Sequence, residues 1–85
     1  MKEFLKFCDT LKANGVKYRR NDDDVLPIVR AQGVSGGHRF SVIFGYGTYG
    51  YESGLLEVMT DHSEPMGWLT ADEAVEYINK RGGKI

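Results

Sequence analysis

Near the N-terminus, the apolar residues follow the spacing of one helical face: Phe4, Phe7, Cys8 and Leu11. Lysines occupy the other side of this segment. Asn14-Gly15 ends the pattern, at a position typical of a left-handed C-terminal cap. The spacing predicts a first helix over residues 2–13, with Cys8 as a buried and unreactive thiol.

Near the C-terminus, a second helix has a clear start signal. Thr70-Ala71-Asp72-Glu73 fits a capping box, in which Thr70 accepts a hydrogen bond from the first turn and Glu73 reaches back to the Thr70 amide. Two basic residues follow at the far end, where the helix dipole favours positive charge. Gly82-Gly83 is expected to end this helix.

Between the helices the apolar period falls to two, which predicts strands at residues 16–20, 26–34, 39–45 and 55–60. Ser35-Gly36-Gly37 is a hairpin turn signal, and the alternating Phe40, Val42 and Phe44 are expected in the core. The order α-β-β-β-β-α predicts an α+β fold. We expect one domain over residues 1–85, with an antiparallel sheet of three to four strands and both helices packed on one face.

Residues 45–54, called the tyrosine loop below, stand out because four glycines and three tyrosines alternate there. Glycine allows close backbone approach, and tyrosine offers a large amphipathic contact area. This composition favours a recognition surface. We expect Tyr46, Tyr49 and Tyr51 to contact a partner, with Glu52 at the rim. The alternative is a bulged hairpin whose tyrosines pack on the sheet or the helices.

Met66 and Trp68 flank Gly67 just before the second helix. A small domain needs its large aromatic residues in the core, so we expect both side chains to be buried at one end of it. An exposed Trp68 would instead anchor an interface, and it therefore joins the candidate partner-binding residues.

The candidate catalytic and metal chemistry is sparse. Asp61, His62 and Glu64 place three potential ligands within four residues, and a small hydrolase centred on them is the least favoured function. A polar turn before Pro65 explains them better. Residues 45–50 match G-x-G-x-x-G as a string, but a predicted strand follows where a dinucleotide-binding motif needs a helix. We expect no catalytic residue, cofactor or metal.

Charge is distributed unevenly. Residues 1–44 carry eight lysines and arginines against five acidic residues, whereas residues 45–85 carry three against seven. Four of the basic residues fall on neighbouring predicted strands: Arg19, Arg20, Arg30 and Arg39. The alternative function is therefore single-stranded nucleic-acid binding through a basic strand face.

The mean hydropathy is −0.38, and no apolar run approaches the roughly 20 residues of a membrane span. The first residues are charged and unlike a signal peptide, so we expect a cytoplasmic protein that does not bind membranes. In size and mild acidity the chain is similar to small accessory proteins of bacteria and their phages. That similarity implies a regulator or inhibitor whose partner is another protein or a second copy of the chain.

Overall fold

The computed structural model describes residues 1–23, 25–61 and 64–85, which form two α-helices, a short 3₁₀ helix over Tyr51–Ser53 and one sheet. Helix α1 spans Lys2–Ala13, and helix α2 spans Ala71–Lys80. The strands are β1 (Tyr18–Asp22), β2 (Ile28–Ser35), β3 (His38–Gly45), β4 (Leu56–Thr60) and β5 (Met66–Leu69). They lie in chain order, each antiparallel to its neighbours. The α+β class and the terminal helices are confirmed.

The sheet has five strands, so the prediction of three to four strands is wrong. The strand that the sequence analysis missed is β5, which joins the sheet where Leu69 pairs with Leu56. Its four residues include a glycine and Trp68, whose φ is 59°, and they show no regular alternation. The pairing with β4 is what defines this strand.

One face of the sheet carries the hydrophobic core. The buried sheet residues are Ala31, Phe40, Val42, Phe44, Leu56 and Val58. Their register agrees, because Val42 pairs with both Ala31 and Val58. The helices supply Phe4, Phe7, Cys8, Leu11, Ala71, Ala74 and Ile78 to the same cluster. Both helices therefore pack on this face, as the sequence predicts.

Both helices end in the same glycine-dependent geometry. Gly15 and Gly82 adopt φ of 69° and 97°, in the left-handed region. The next amide in each case closes the helix: Val16 N–H donates to the Leu11 carbonyl at 2.9 Å, and Gly83 N–H to the Ile78 carbonyl at 3.0 Å. These are Schellman bonds, so the glycines end the helices as expected. Val16 belongs to this cap, and β1 starts two residues later than predicted.

The first turn of α2 is capped from two sides. Thr70 Oγ1 accepts a hydrogen bond from Glu73 N–H at 3.2 Å, and Glu73 Oε1 accepts one from Thr70 N–H at 2.9 Å. This is the predicted capping box. Glu3 of α1 adds a contact that joins the helices, because its Oε1 accepts a hydrogen bond from Ala71 N–H at 2.7 Å.

The opposite face of the sheet, called the open face below, is covered by neither α1 nor α2. Its side chains alternate with those of the core: Arg19, Arg30, Gln32, Val34, Arg39, Ser41, Ile43, Glu57 and Met59. The three arginines, Val34 and Met59 are exposed, and the remaining side chains are half-buried. Antiparallel sheets commonly keep one such solvated face.

Replacing Thr70 by alanine should lower the free energy of unfolding by about 1 kcal/mol, within a range of 0.5–2, because the first turn of α2 loses its side-chain acceptor. Urea unfolding measures this. Thr10→Ala is the matched control, since the Thr10 hydroxyl only donates to the Lys6 carbonyl within α1. That change should cost less than about 0.5 kcal/mol. Equal unfolding curves for Thr70→Ala and the parent would contradict the capping account.

Candidate functional site

The tyrosine loop, residues 45–54, is closed by hydrogen bonds at both ends. Thr48 Oγ1 donates to the Gly45 carbonyl at 2.7 Å and accepts from Gly45 N–H at 3.1 Å. At the other end, Leu55 N–H donates to the Gly50 carbonyl at 2.9 Å. In the middle, Tyr49 N–H donates to Glu57 Oε1 at 2.9 Å, which ties the loop to β4. The backbone of the loop is thus held in place by hydrogen bonds within the chain.

Two glycines let this loop contact β5 closely. A Cβ atom on Gly67 would collide with the Tyr49 side chain and lie 2.9 Å from the Tyr49 carbonyl oxygen. A Cβ atom on Gly50, whose φ is 99°, would lie 2.9 Å from the Trp68 nitrogen. Both distances are too short for a side chain, so only glycine allows this approach.

This approach brings Tyr49 against Trp68. The two rings stack with their centroids 5.4 Å apart and an interplanar angle of 17°. Both side chains remain exposed, at 55% for Tyr49 and 58% for Trp68. Trp68 is the one non-glycine residue with positive φ in the described ranges. The left-handed conformation costs such a residue about 1–2 kcal/mol, so the surrounding structure imposes it.

The structure gathers three of the predicted contact residues into an exposed group, called the aromatic cluster below: Tyr46, Tyr49 and Trp68. Tyr46 is 67% exposed. The cluster lines a shallow cavity of about 470 Å³, and the exposed Glu52 is also among the lining residues. Tyr51 also lines this cavity, but it is half-buried and its ring centroid is 5.2 Å from that of Phe44. Tyr51 therefore supports the loop from below.

The expected burial of Trp68 and Met66 is wrong, because these side chains are 58% and 44% exposed. On β5, the partly buried Leu69 packs against the core instead. Gly67 is buried against Tyr49. The positive φ of Trp68 and the register shift between β4 and β5 interrupt the alternation of side chains, and the Trp68 ring stacks on Tyr49.

The basic strand residues do not share one face. Arg19, Arg30 and Arg39 lie on the open face, and in the described ranges none of their guanidinium groups forms an ion pair. Arg20 lies on the core side, since it pairs with Ala31. Its Nε is 3.0 Å from Asp22 Oδ1. The prediction of one basic face is therefore corrected to three arginines, because neighbouring strand residues point to opposite faces.

The proposed hydrolase residues are only partly within the described ranges, and His62 lies outside them. Asp61 Oδ2 accepts a hydrogen bond from Arg39 N–H at 3.0 Å and lies 3.9 Å from His38 Nδ1. The Glu64 carbonyl accepts one from the Tyr77 hydroxyl at 3.4 Å. Within residues 1–23, 25–61 and 64–85, no three metal-ligating side chains are grouped to hold an ion.

Cys8 is buried in the core, as predicted. Burial raises the pKa of the Cys8 thiol, and a smaller opposing effect comes from its hydrogen bond with Tyr18. The thiol is therefore protonated at neutral pH. A nucleophilic cysteine needs a lowered pKa and access to solvent, and Cys8 has neither.

Comparisons with protein-family models, curated proteins and solved structures find no match to this chain. In the part of the chain that the structure describes, no helix has the length and apolar character needed to cross a membrane.

Sequence reasoning did not single out Gly67 and Glu57 as parts of this site. Gly67 carries a weak signal, because a glycine between two large apolar residues often marks a close backbone approach. Glu57 carries none, since an acidic residue on a solvated strand face is ordinary. Its role appears only when the loop folds over and presents the Tyr49 amide.

Gly67→Ala should separate the tyrosine loop from β5, because the added methyl group occupies the position of Tyr49. Overpacking of this kind costs about 1–3 kcal/mol. Gly47→Ala is the control: at φ of 86° it is strained too, but its Cβ atom meets open space. Trp68 fluorescence should therefore change in Gly67→Ala and stay as in the parent in Gly47→Ala. An unchanged spectrum in both variants would contradict the docked loop.

Proposed function

We propose that this chain is a non-enzymatic protein-interaction module that binds a partner protein through the aromatic cluster, with Glu52 at the rim. The observation that carries the proposal is the exposure of three large rings, at 67% for Tyr46, 55% for Tyr49 and 58% for Trp68. Tyrosine and tryptophan are the residues that most often dominate protein interfaces.

Folding already orders most of this surface, so little further conformational entropy is lost when a partner binds. Tyr49 is fixed through its amide to Glu57 at 2.9 Å and through its ring to Trp68 at 5.4 Å. Aromatic side chains with few rotatable bonds lose little entropy on binding, and a backbone positioned in advance loses less still. The strained φ of Trp68 fits the same interpretation, since strain often accompanies functional sites.

A module of this kind acts by occupying the surface of its partner. That mode of action suits a small regulator or inhibitor of the bacterial or phage type. Glu52 at the edge of the cluster would favour a partner that presents a basic residue beside its apolar surface. A second copy of the chain is also a partner within this proposal.

The test is site-specific photo-crosslinking in cells that encode the protein. A benzophenone amino acid replaces Tyr46 in the cluster or, as the control, Leu5 on the exposed side of α1, which is 45% exposed. Cross-linked species are purified and identified by mass spectrometry. We expect a defined protein adduct from position 46 and none of the same mass from position 5.

Trp68→Gly in the position-46 background should abolish that adduct. Glycine accepts φ of 59° without strain, so this variant removes the indole at little cost to the backbone. Circular dichroism should show the parent fold. An adduct that also forms from position 5, or that survives Trp68→Gly, would contradict the proposed surface. An adduct with a second copy of the chain would identify the partner as the chain itself.

A further inference from the structure

The open face carries its positive charge in a defined arrangement. Arg19 of β1 lies opposite Gln32 of β2, which lies opposite Ser41 of β3. Arg30 and Arg39 each sit two residues away from this row along their own strands. With about 4.8 Å between strands and 3.4 Å per residue, their α-carbons lie roughly 8–12 Å from that of Arg19. Arg30 and Arg39 lie on opposite sides of the row, since Arg30 pairs with Ile43 and Arg39 with Val34. Each is therefore closer to Arg19 than to the other, and long side chains at these distances from Arg19 can reach neighbouring anionic groups.

Two of these arginines, Arg19 and Arg39, line a groove of about 630 Å³ that crosses the open face from β1 to β4, and Arg30 lies outside it. Its cationic lining is Lys17, Arg19 and Arg39, and its neutral lining includes Gln32, Ser41 and Met59. Asp61 at the groove is held by the Arg39 backbone amide. Within the described ranges, no carboxylate pairs with the lining guanidinium groups. The groove therefore offers cations that an external anion can neutralise.

We propose that the open face binds single-stranded nucleic acid, with phosphate groups on Arg19, Arg30 and Arg39 and bases over the neutral part of the groove. Guanidinium forks match phosphate oxygens. Gln32 and Ser41 can hydrogen-bond base edges, and Met59, which is 46% exposed, offers an apolar contact for a flat base. An acidic peptide would use the cations but would lack the planar groups that suit this neutral strip.

Fluorescence anisotropy measures the binding of two fluorescein-labelled probes to the protein, oligothymidylate and oligouridylate. We expect saturable binding at low salt. With three phosphate contacts, the logarithm of affinity should fall with the logarithm of salt concentration at a slope of about −2. Affinity would then drop roughly twentyfold between about 50 and 200 mM salt.

The decisive variant is the double substitution Arg19→Gln with Arg39→Gln. It should lower affinity at least tenfold at low salt and reduce the slope to about −0.7, because two of three contacts are lost. The matched control is Arg20→Gln, which makes the same kind of charge change next to Arg19 but on the core side of the sheet. It should bind oligonucleotides within about twofold of the parent, as expected for a cation away from the phosphate path.

No binding up to about 10⁻⁴ M protein, the weak end of non-specific affinity, would overturn the proposal. A loss of affinity in Arg20→Gln as large as that in the double variant would also overturn it. So would equal affinity for polyglutamate, which would make the groove a site for acidic protein segments.

Trp68→Gly tests whether the open face and the aromatic cluster bind separately. Unchanged oligonucleotide binding supports an independent basic site, and reduced binding supports a larger nucleic-acid site while counting against the protein-partner proposal.

Discussion

The structure depends on the burial of one sheet face beneath two short helices. The apolar stripe of α1 and the narrow face of α2 meet Phe40, Val42 and Val58 and fill the space on that side. Phe7 and Phe40 meet edge to face, with their centroids 6.1 Å apart. Because both helices pack on the core face, neither helix covers the open face of the sheet. The side chains of the open face must therefore be compatible with water.

The same constraint shapes the aromatic cluster. On the edge strand β5, Leu69 packs against the core, and the side chains of Met66 and Trp68 are exposed. The tyrosine loop then covers the backbone of β5 through Gly50 and Gly67, and the stacked pair forms where they meet. Each ring shields one face of the other, which reduces the apolar area in contact with water without burying the pair.

Local sequence signals predicted the local features of the fold. The apolar stripe of α1, the Thr70–Glu73 capping box and the glycines at both helix ends depend on residues close in the chain. The structure contains each of them. The alternation of Phe40, Val42 and Phe44 gave the core face for the same reason. Strict alternation could also have separated Arg20 from Arg19, since adjacent strand residues point to opposite faces.

The remaining features depend on contacts between distant residues. β5 exists because Leu69 reaches Leu56, and its short irregular sequence does not indicate a strand. The exposure of Trp68 depends on its φ of 59° and on the approach of Tyr49 from across the sheet. The sequence of the tyrosine loop does not show which of its three tyrosines packs against the core. Tyr51 does so because Phe44 lies beneath it, at 5.2 Å between ring centroids.

The most direct test of the central claim, that the fold holds its aromatic cluster in solvent, uses the single tryptophan of the chain. Acrylamide quenching of Trp68 fluorescence is measured in the native protein and again in urea. The account predicts long-wavelength emission and native quenching that is only partly weaker than in the unfolded chain, because Tyr49 covers one face of the indole. Strong protection with short-wavelength emission would place Trp68 in the core and contradict the account.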